Sequence, residues 1–160
     1  MKSVDRGRVC FNPRGFKALL VTLQDTYKSA GSAMIYQMSQ RYAEYLISEL
    51  YPLEEHEFDD LLGAVDKRFR HVRNMGWGEY KVTRFEPDEG VVMVQGETSF
   101  SSLSCADEED PMCLFLKGAL VGAVNSILNR EFEIYVEECV ENEDGVMCLF
   151  KLKTDDLMSV

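Results

Sequence analysis

The stretch MCLFLKGALVGAVNSIL, residues 112–128, constrains this chain more than any other. Phe115, Leu116, Ala119, Leu120, Ala123, Val124, Ile127 and Leu128 follow helical spacing and cover a wide face. A helix apolar over so much of its circumference is stable in water only when other elements enclose it. Gly118 and Gly122 stand four apart on it, where they let another backbone or a ligand approach closely. The remaining segments therefore have to supply the layers that bury this one.

Residues 7–12 read as a short strand or extended arm that stops at Pro13. Asn12-Pro13 then opens a helix, with Asn as the cap and Pro in the first position. Phe16, Leu19, Leu20, Leu23 and Tyr27 give that helix one apolar stripe. Gly31-Ser32 breaks it and starts a second helix over roughly 32–51, which ends at Pro52. A third helix over roughly 55–74 carries Phe58, Leu61, Leu62, Val65, Phe69 and Val72 on one side. The period then changes. GWGEYKVTRFE (76–86) and GVVMVQGETSF (90–100), separated by the turn signal Pro87-Asp88-Glu89-Gly90, read as two antiparallel strands. Residues 101–111 are a Ser- and acid-rich loop before the apolar helix, and two further strands, roughly 131–140 and 145–153, close the chain. Helices first, then a hairpin, a helix and another hairpin is an α+β order, and short turns between consecutive strands favour antiparallel pairing. The 160 residues predict a single domain.

A net charge of -11 argues against nucleic acid as a partner, since a duplex binder needs a basic surface. The one basic stripe, Lys67, Arg68, Arg70, His71 and Arg73, closes a helix whose start is acidic (Glu54, Glu55, Glu57, Asp59, Asp60), as the helix dipole favours. MKSVDRGRVCFNPRG has no apolar core of a signal peptide, and no apolar run reaches the ~20 residues of a membrane span, so a cytoplasmic protein is expected. Thiols stay reduced there, which turns five cysteines toward metal binding or inert burial.

Cys113, Cys139 and Cys148 are the cysteines with a pattern. Cys139 and Cys148 flank the polar turn ENEDG. If the hairpin pairs them, their β-carbons lie about 5 Å apart, which suits two ligands of one zinc ion at about 2.3 Å. Strict alternation puts Glu133, Tyr135, Glu137 and Cys139 on one face, so Glu137 is one pleat away as a fourth ligand. Cys113 arrives from the first turn of the apolar helix, where the dipole favours a thiolate. The same spacing is compatible with three buried core thiols, or with a Cys139–Cys148 disulfide in an oxidising compartment. Cys10 and Cys105 have no evident partner.

These motifs resemble the vinyl-4-reductase domain family of hydrocarbon-binding proteins. The likeness rests on the R-x-C-F-x-P opening, GWGEYKV, Cys113 with Gly118 and Gly122, E-x-C at Glu137 and Cys139, and G-x-x-C-x-F at Gly145, Cys148 and Phe150. It implies a fold like that of the TRAPP vesicle-tethering subunits, with helices packed on one face of a twisted antiparallel sheet, often as a homodimer. Similar domains form the sensory part of bacterial phenol-responsive activators, where three cysteines and a glutamate hold zinc beside an aromatic-ligand pocket. Mapped by motif, Cys113, Cys139 and Cys148 match those cysteines, so the resemblance implies a structural zinc that staples residues 112–153. The family's carboxylate lies slightly further upstream, where this chain has Val136, so Glu137 is the choice and Glu138 the fallback.

The function this predicts is binding or sensing of a hydrophobic or aromatic small molecule. The candidate pocket residues are Tyr36, Tyr42, Trp77, Phe100, Phe115, Gly118 and Gly122; each aromatic among them is equally a core residue by type. A second reading is a homodimeric interaction module without ligand, using the Met34, Met38 and Tyr45 side of the second helix. Reduction of a vinyl-bearing tetrapyrrole ranks third, because it needs a hydride donor and the chain has no strand–GxGxxG–helix unit. No Ser-His-Asp arrangement is evident either, the histidines being His56 and His71 on the third helix.

Overall fold

A computed structural model describes residues 12–57, 60–74, 77–98, 105, 107–143 and 145–154. Helix α1 spans Pro13–Tyr27. Asn12 caps it as the sequence implies, its side-chain oxygen accepting from the N–H groups of Arg14 at 3.0 Å and Gly15 at 3.3 Å. The break that follows falls at Lys28, whose φ of 54° is left-handed, and not at Gly31-Ser32. Helix α2 runs Ser29–Tyr45 and contains Gly31. That glycine is a packing point: a β-carbon there would lie 2.6 Å from the Leu23 carbonyl oxygen of α1.

The end of α2 widens into a π-helical turn, Leu46–Leu50. The third helix is shorter than the periodicity suggested. Glu55–Glu57 form a separate 3₁₀ turn, and α3 spans Leu61–Asn74. Charge pairing explains the difference. Arg68 is 3% exposed and its guanidinium grips both oxygens of Glu57, at 2.6 and 2.8 Å. It also donates to the carbonyls of Tyr51 and Pro52. Lys67 reaches Glu57 as well, at 2.9 Å. Glu57 therefore folds back onto the middle of α3 and does not start it. Two of the five residues of the basic stripe, Lys67 and Arg68, are thus paired with Glu57.

Four strands follow the expected order: β1 Glu79–Glu86, β2 Val91–Thr98, β3 Glu133–Asn142 and β4 Gly145–Lys153. They form one antiparallel sheet in the order β1-β2-β4-β3, so two hairpins join through the central β2–β4 pair. Val92, Val94, Cys148, Phe150 and Leu152 point from those two strands into the core. Helix α4, Pro111–Leu128, supplies the other side of that core. Asp110 caps α4, Pro111 takes its first position and Asn129 ends it in the left-handed region. By length and apolarity α4 would suffice to cross a membrane, but 72% of it is buried in the fold, as a core helix should be.

Gly118 and Gly122 explain how α4 lies against α2. A β-carbon on Gly118 would stand 2.1 Å from the Ser39 hydroxyl and 2.3 Å from the Tyr36 carbonyl oxygen. One on Gly122 would stand 2.2 Å from the Gln40 carbonyl oxygen. These glycines accommodate another backbone, one of the two uses their spacing allowed.

Candidate functional site

Two places in this architecture concentrate unusual side chains: a cysteine cluster where the α4 N-terminus meets the β3–β4 hairpin, and an apolar cavity beneath α4. The hairpin register pairs Cys139 with Cys148, as the turn ENEDG suggested. Their Cα atoms are 4.1 Å apart and their sulfurs are joined as a disulfide, one of the three outcomes the spacing left open. Cys113 is a fully buried thiol in the first turn of α4.

The face assignment in β3 needs correction. The register slips between Val136 and Glu138, so Glu137 is the extra residue of a β-bulge. Before the bulge, Phe132 and Ile134 face the core while Glu133 and Tyr135 are exposed. The inserted residue shifts the alternation by one, and Cys139 packs against the core beside Cys148. Glu137 is left exposed, its carboxylate 3.5 Å from the Lys151 ammonium. Glu137 and Cys139 do not share a face, and the fallback Glu138 is exposed too.

Cys105, which had no evident partner in the sequence, belongs to this cluster. It is 1% exposed, and its backbone N–H donates to the Cys139 sulfur at 3.3 Å. Its thiol is hydrogen-bonded to that of Cys113; that bond, and then burial, push the Cys105 thiol far above its ordinary value. Among the described residues, no group of three or more Cys, His, Asp or Glu side chains is arranged to hold a metal ion. Opening the disulfide changes the donor set to sulfurs alone, a soft set that matches zinc.

The cavity, about 80 Å³, lies between the end of α2, α3, β1 and α4. Ala43, Leu46 and Ile47 form one wall, Phe69 and Tyr80 another, and Phe115, Ala119 and Ala123 the roof. Trp77, Phe16 and Phe115 form an aromatic cluster beside it. Trp77 stacks on Phe115 with centroids 5.3 Å apart, and Phe16 meets both edge-on at 5.5 and 5.0 Å. Tyr51 and His71 stack at 4.1 Å and line another part of the wall, with His71 half-buried. Two of the polar side chains that line the cavity are already engaged. Arg68 is held by Glu57, and the Tyr80 hydroxyl donates to the Trp77 carbonyl at 3.2 Å. Burial pushes the Tyr80 phenol above its ordinary value, so it stays neutral.

Of the residues singled out for a pocket, Tyr42, Trp77 and Phe115 line this cavity. Tyr36, Gly118 and Gly122 lie instead along the α2–α4 contact. Phe100 is outside the described residues. The wall contributed by the π-turn and by His71 was missed, because a helical repeat does not announce a local change of pitch.

No family model matches the chain, and no curated protein matches it in sequence. Solved structures do match its fold. The phenol-responsive sensory domain of the transcription activator PoxR, in a structure with phenol, superposes with a TM-score of 0.64 and 12% identity, over 91% of this chain and 76% of that one. A structure concerned with heme distortion in the H-NOX family gives 0.61 and 10%, over 98% and 80%. Trafficking protein particle complex subunit 3 from Naegleria fowleri, covalently bound to palmitic acid, gives 0.56 and 11%, over 92% and 95%. At such identities the likeness is one of fold, and it is the TRAPP-like fold of helices on an antiparallel sheet that the sequence implied.

Proposed function

We propose that this chain is a binding or sensing domain for a small apolar molecule, of the vinyl-4-reductase type, whose C-terminal third is fastened by zinc. The observation that carries the ligand reading is the cavity beneath α4, with its apolar and aromatic wall and two pre-engaged polar side chains. Such a site offers burial and little hydrogen bonding, so it selects ligands by size and apolarity. The similar folds were solved with phenol and with palmitic acid bound, which supports the same use here.

Size sharpens the expectation. An engineered cavity of about 150 Å³ takes up benzene. At about 80 Å³ this one is half as large, so an aromatic ring enters only when wall residues move. Trp77 is the only tryptophan and borders the space, so its fluorescence reports the event. Titration with benzene and with phenol is expected to give a saturable change in Trp77 emission. Ala123→Phe, which fills the roof, is expected to remove it. If neither probe saturates, or if the filled variant responds as the parent does, the cavity is not a ligand site.

Zinc, when bound, supplies folding free energy to a hairpin and helix end that otherwise meet through side-chain packing. Cys113, Cys139 and Cys148 are the residues that would hold it, and each is already positioned by α4 or the β3–β4 register. A chelator is expected to lower the melting temperature of the reduced protein by more than that of Cys139→Ser. Equal effects on both would remove zinc from the proposal.

A second reading, a homodimer through α2, has its own support. Met34, Met38, Tyr42 and Tyr45 are each about half exposed on that helix, and methionine-rich faces adapt to partners. Light scattering decides it, since a monomer has a mass of 18.3 kDa and a dimer twice that.

A further inference from the structure

Cys105 touches both halves of the cysteine cluster. Its N–H lies on the sulfur of Cys139, and its thiol is hydrogen-bonded to the thiol of Cys113, both being free and buried. It therefore bridges the helix side of the cluster to the hairpin side. Neither carboxylate nominated by the sequence does this: the β-bulge leaves Glu137 exposed beside Lys151, and Glu138 is exposed as well. We propose that Cys105 is the fourth ligand of an all-thiolate site with Cys113, Cys139 and Cys148, and that this site is available only when the Cys139–Cys148 disulfide is reduced. The inference rests on the zinc reading above and names its donor set.

The chemistry is balanced as follows. Two electrons and two protons convert the Cys139–Cys148 bond into two thiols, and a low-molecular-weight thiol supplies them, two molecules becoming one disulfide. Four thiols then lose four protons as one divalent cation binds. In the oxidised form Cys105 and Cys113 remain as two buried thiols, too few to close a tetrahedral sulfur shell. The hairpin would thus hold either a disulfide or half a metal site, and the two states exclude each other.

Cobalt(II) is a suitable probe, because its thiolate charge-transfer absorbance grows with the number of sulfurs bound. The full chain is reduced with a phosphine, which takes oxygen from water to become the phosphine oxide, and is then titrated anaerobically. One equivalent is expected to bind with the spectrum of a tetrahedral all-sulfur site. Cys105→Ser is expected to lose roughly a quarter of that absorbance and Glu137→Gln none, since one of four ligands changes in the first case only. Oxidised protein is expected to give no such band. Full absorbance in Cys105→Ser, or loss in Glu137→Gln, would overturn the assignment of Cys105 while leaving zinc itself in place. A cobalt band in the oxidised protein would overturn the redox dependence. No band in the reduced parent would remove the metal reading altogether. Should Cys105→Ser fail to fold, X-ray absorption at the zinc edge of the unaltered protein gives the same answer. Four sulfurs at about 2.3 Å support the proposal, and three sulfurs with an oxygen near 2.0 Å overturn it.

Discussion

Replacing Gly122 by alanine sets two effects of opposite sign against each other. Alanine is the better helix former, by up to about 1 kcal/mol in a helix interior. Against this, the new β-carbon would lie 2.2 Å from the Gln40 carbonyl oxygen, 2.9 Å from its carbon and 3.0 Å from its Cα. All three are backbone atoms, so no side chain can rotate aside, and α2 and α4 have to separate by about 1 Å to restore ordinary contact. Overpacking of this kind costs about 1–3 kcal/mol. With three backbone atoms this close the steric effect wins, and a net loss of up to about 2 kcal/mol is expected, or up to roughly 8 °C in melting temperature for a chain of this length. Gly15 is the control. It is exposed in the first turn of α1, with nothing within 4 Å of its would-be β-carbon. Gly15→Ala is therefore expected to gain a few tenths of a kcal/mol. Urea unfolding of both variants, followed by circular dichroism, should move their midpoints in opposite directions with an unchanged slope. If Gly122→Ala matches or exceeds the parent while Gly15→Ala rises, the two helices do not meet backbone to backbone.

Phe115→Ala is expected to cost about 3–5 kcal/mol, because it removes a buried ring packed on Phe16 and Trp77. The space it leaves has roughly the shape of benzene, so benzene should raise the melting temperature of this variant more than that of the parent; equal shifts would disconnect Phe115 from the cavity. Hydrogen bonds from Arg68, then from the Glu54 N–H and from Lys67, hold the Glu57 carboxyl well below the usual carboxylate range in the folded state. A depressed folded value means that its stabilisation is complete near neutral pH, and is lost as pH falls below the ordinary carboxylate value toward the lowered one. Glu57→Gln should accordingly lower the urea midpoint at pH 7 and flatten its decline between pH 5 and 3; an unaltered acid limb would show that Glu57 contributes nothing to it. Asn12→Ala removes a cap that accepts from two N–H groups and is expected to cost about 1 kcal/mol, read from the same unfolding curves.

What the sequence made legible and what it hid differ by physical cause. Local rules carried the helix cap at Asn12, both hairpins and the burial of α4, because each depends on a few adjacent residues. Gly31 was misread as a breaker because a glycine in contact with a neighbouring backbone looks, in one dimension, like a glycine that ends a helix. Glu57 was misread as a helix start because its partner, Arg68, is eleven residues away and the pairing is tertiary.

The candidate metal site shows the most consequential gap. Its hairpin pair, Cys139 with Cys148, follows from the turn alone, whereas its fourth donor does not. Period-two reasoning assumes an unbroken ladder, and one inserted residue reverses every face beyond it. The bulge at Glu137 does this two residues before Cys139. It carries a thiol to the core and leaves a carboxylate in solvent, which removes the glutamate that alternation nominated. The position at which the family resemblance implies a carboxylate is Val136 here, a half-buried apolar side chain. Cys105, more than thirty residues earlier, donates its backbone N–H to the Cys139 sulfur and is the donor we propose in place of a carboxylate.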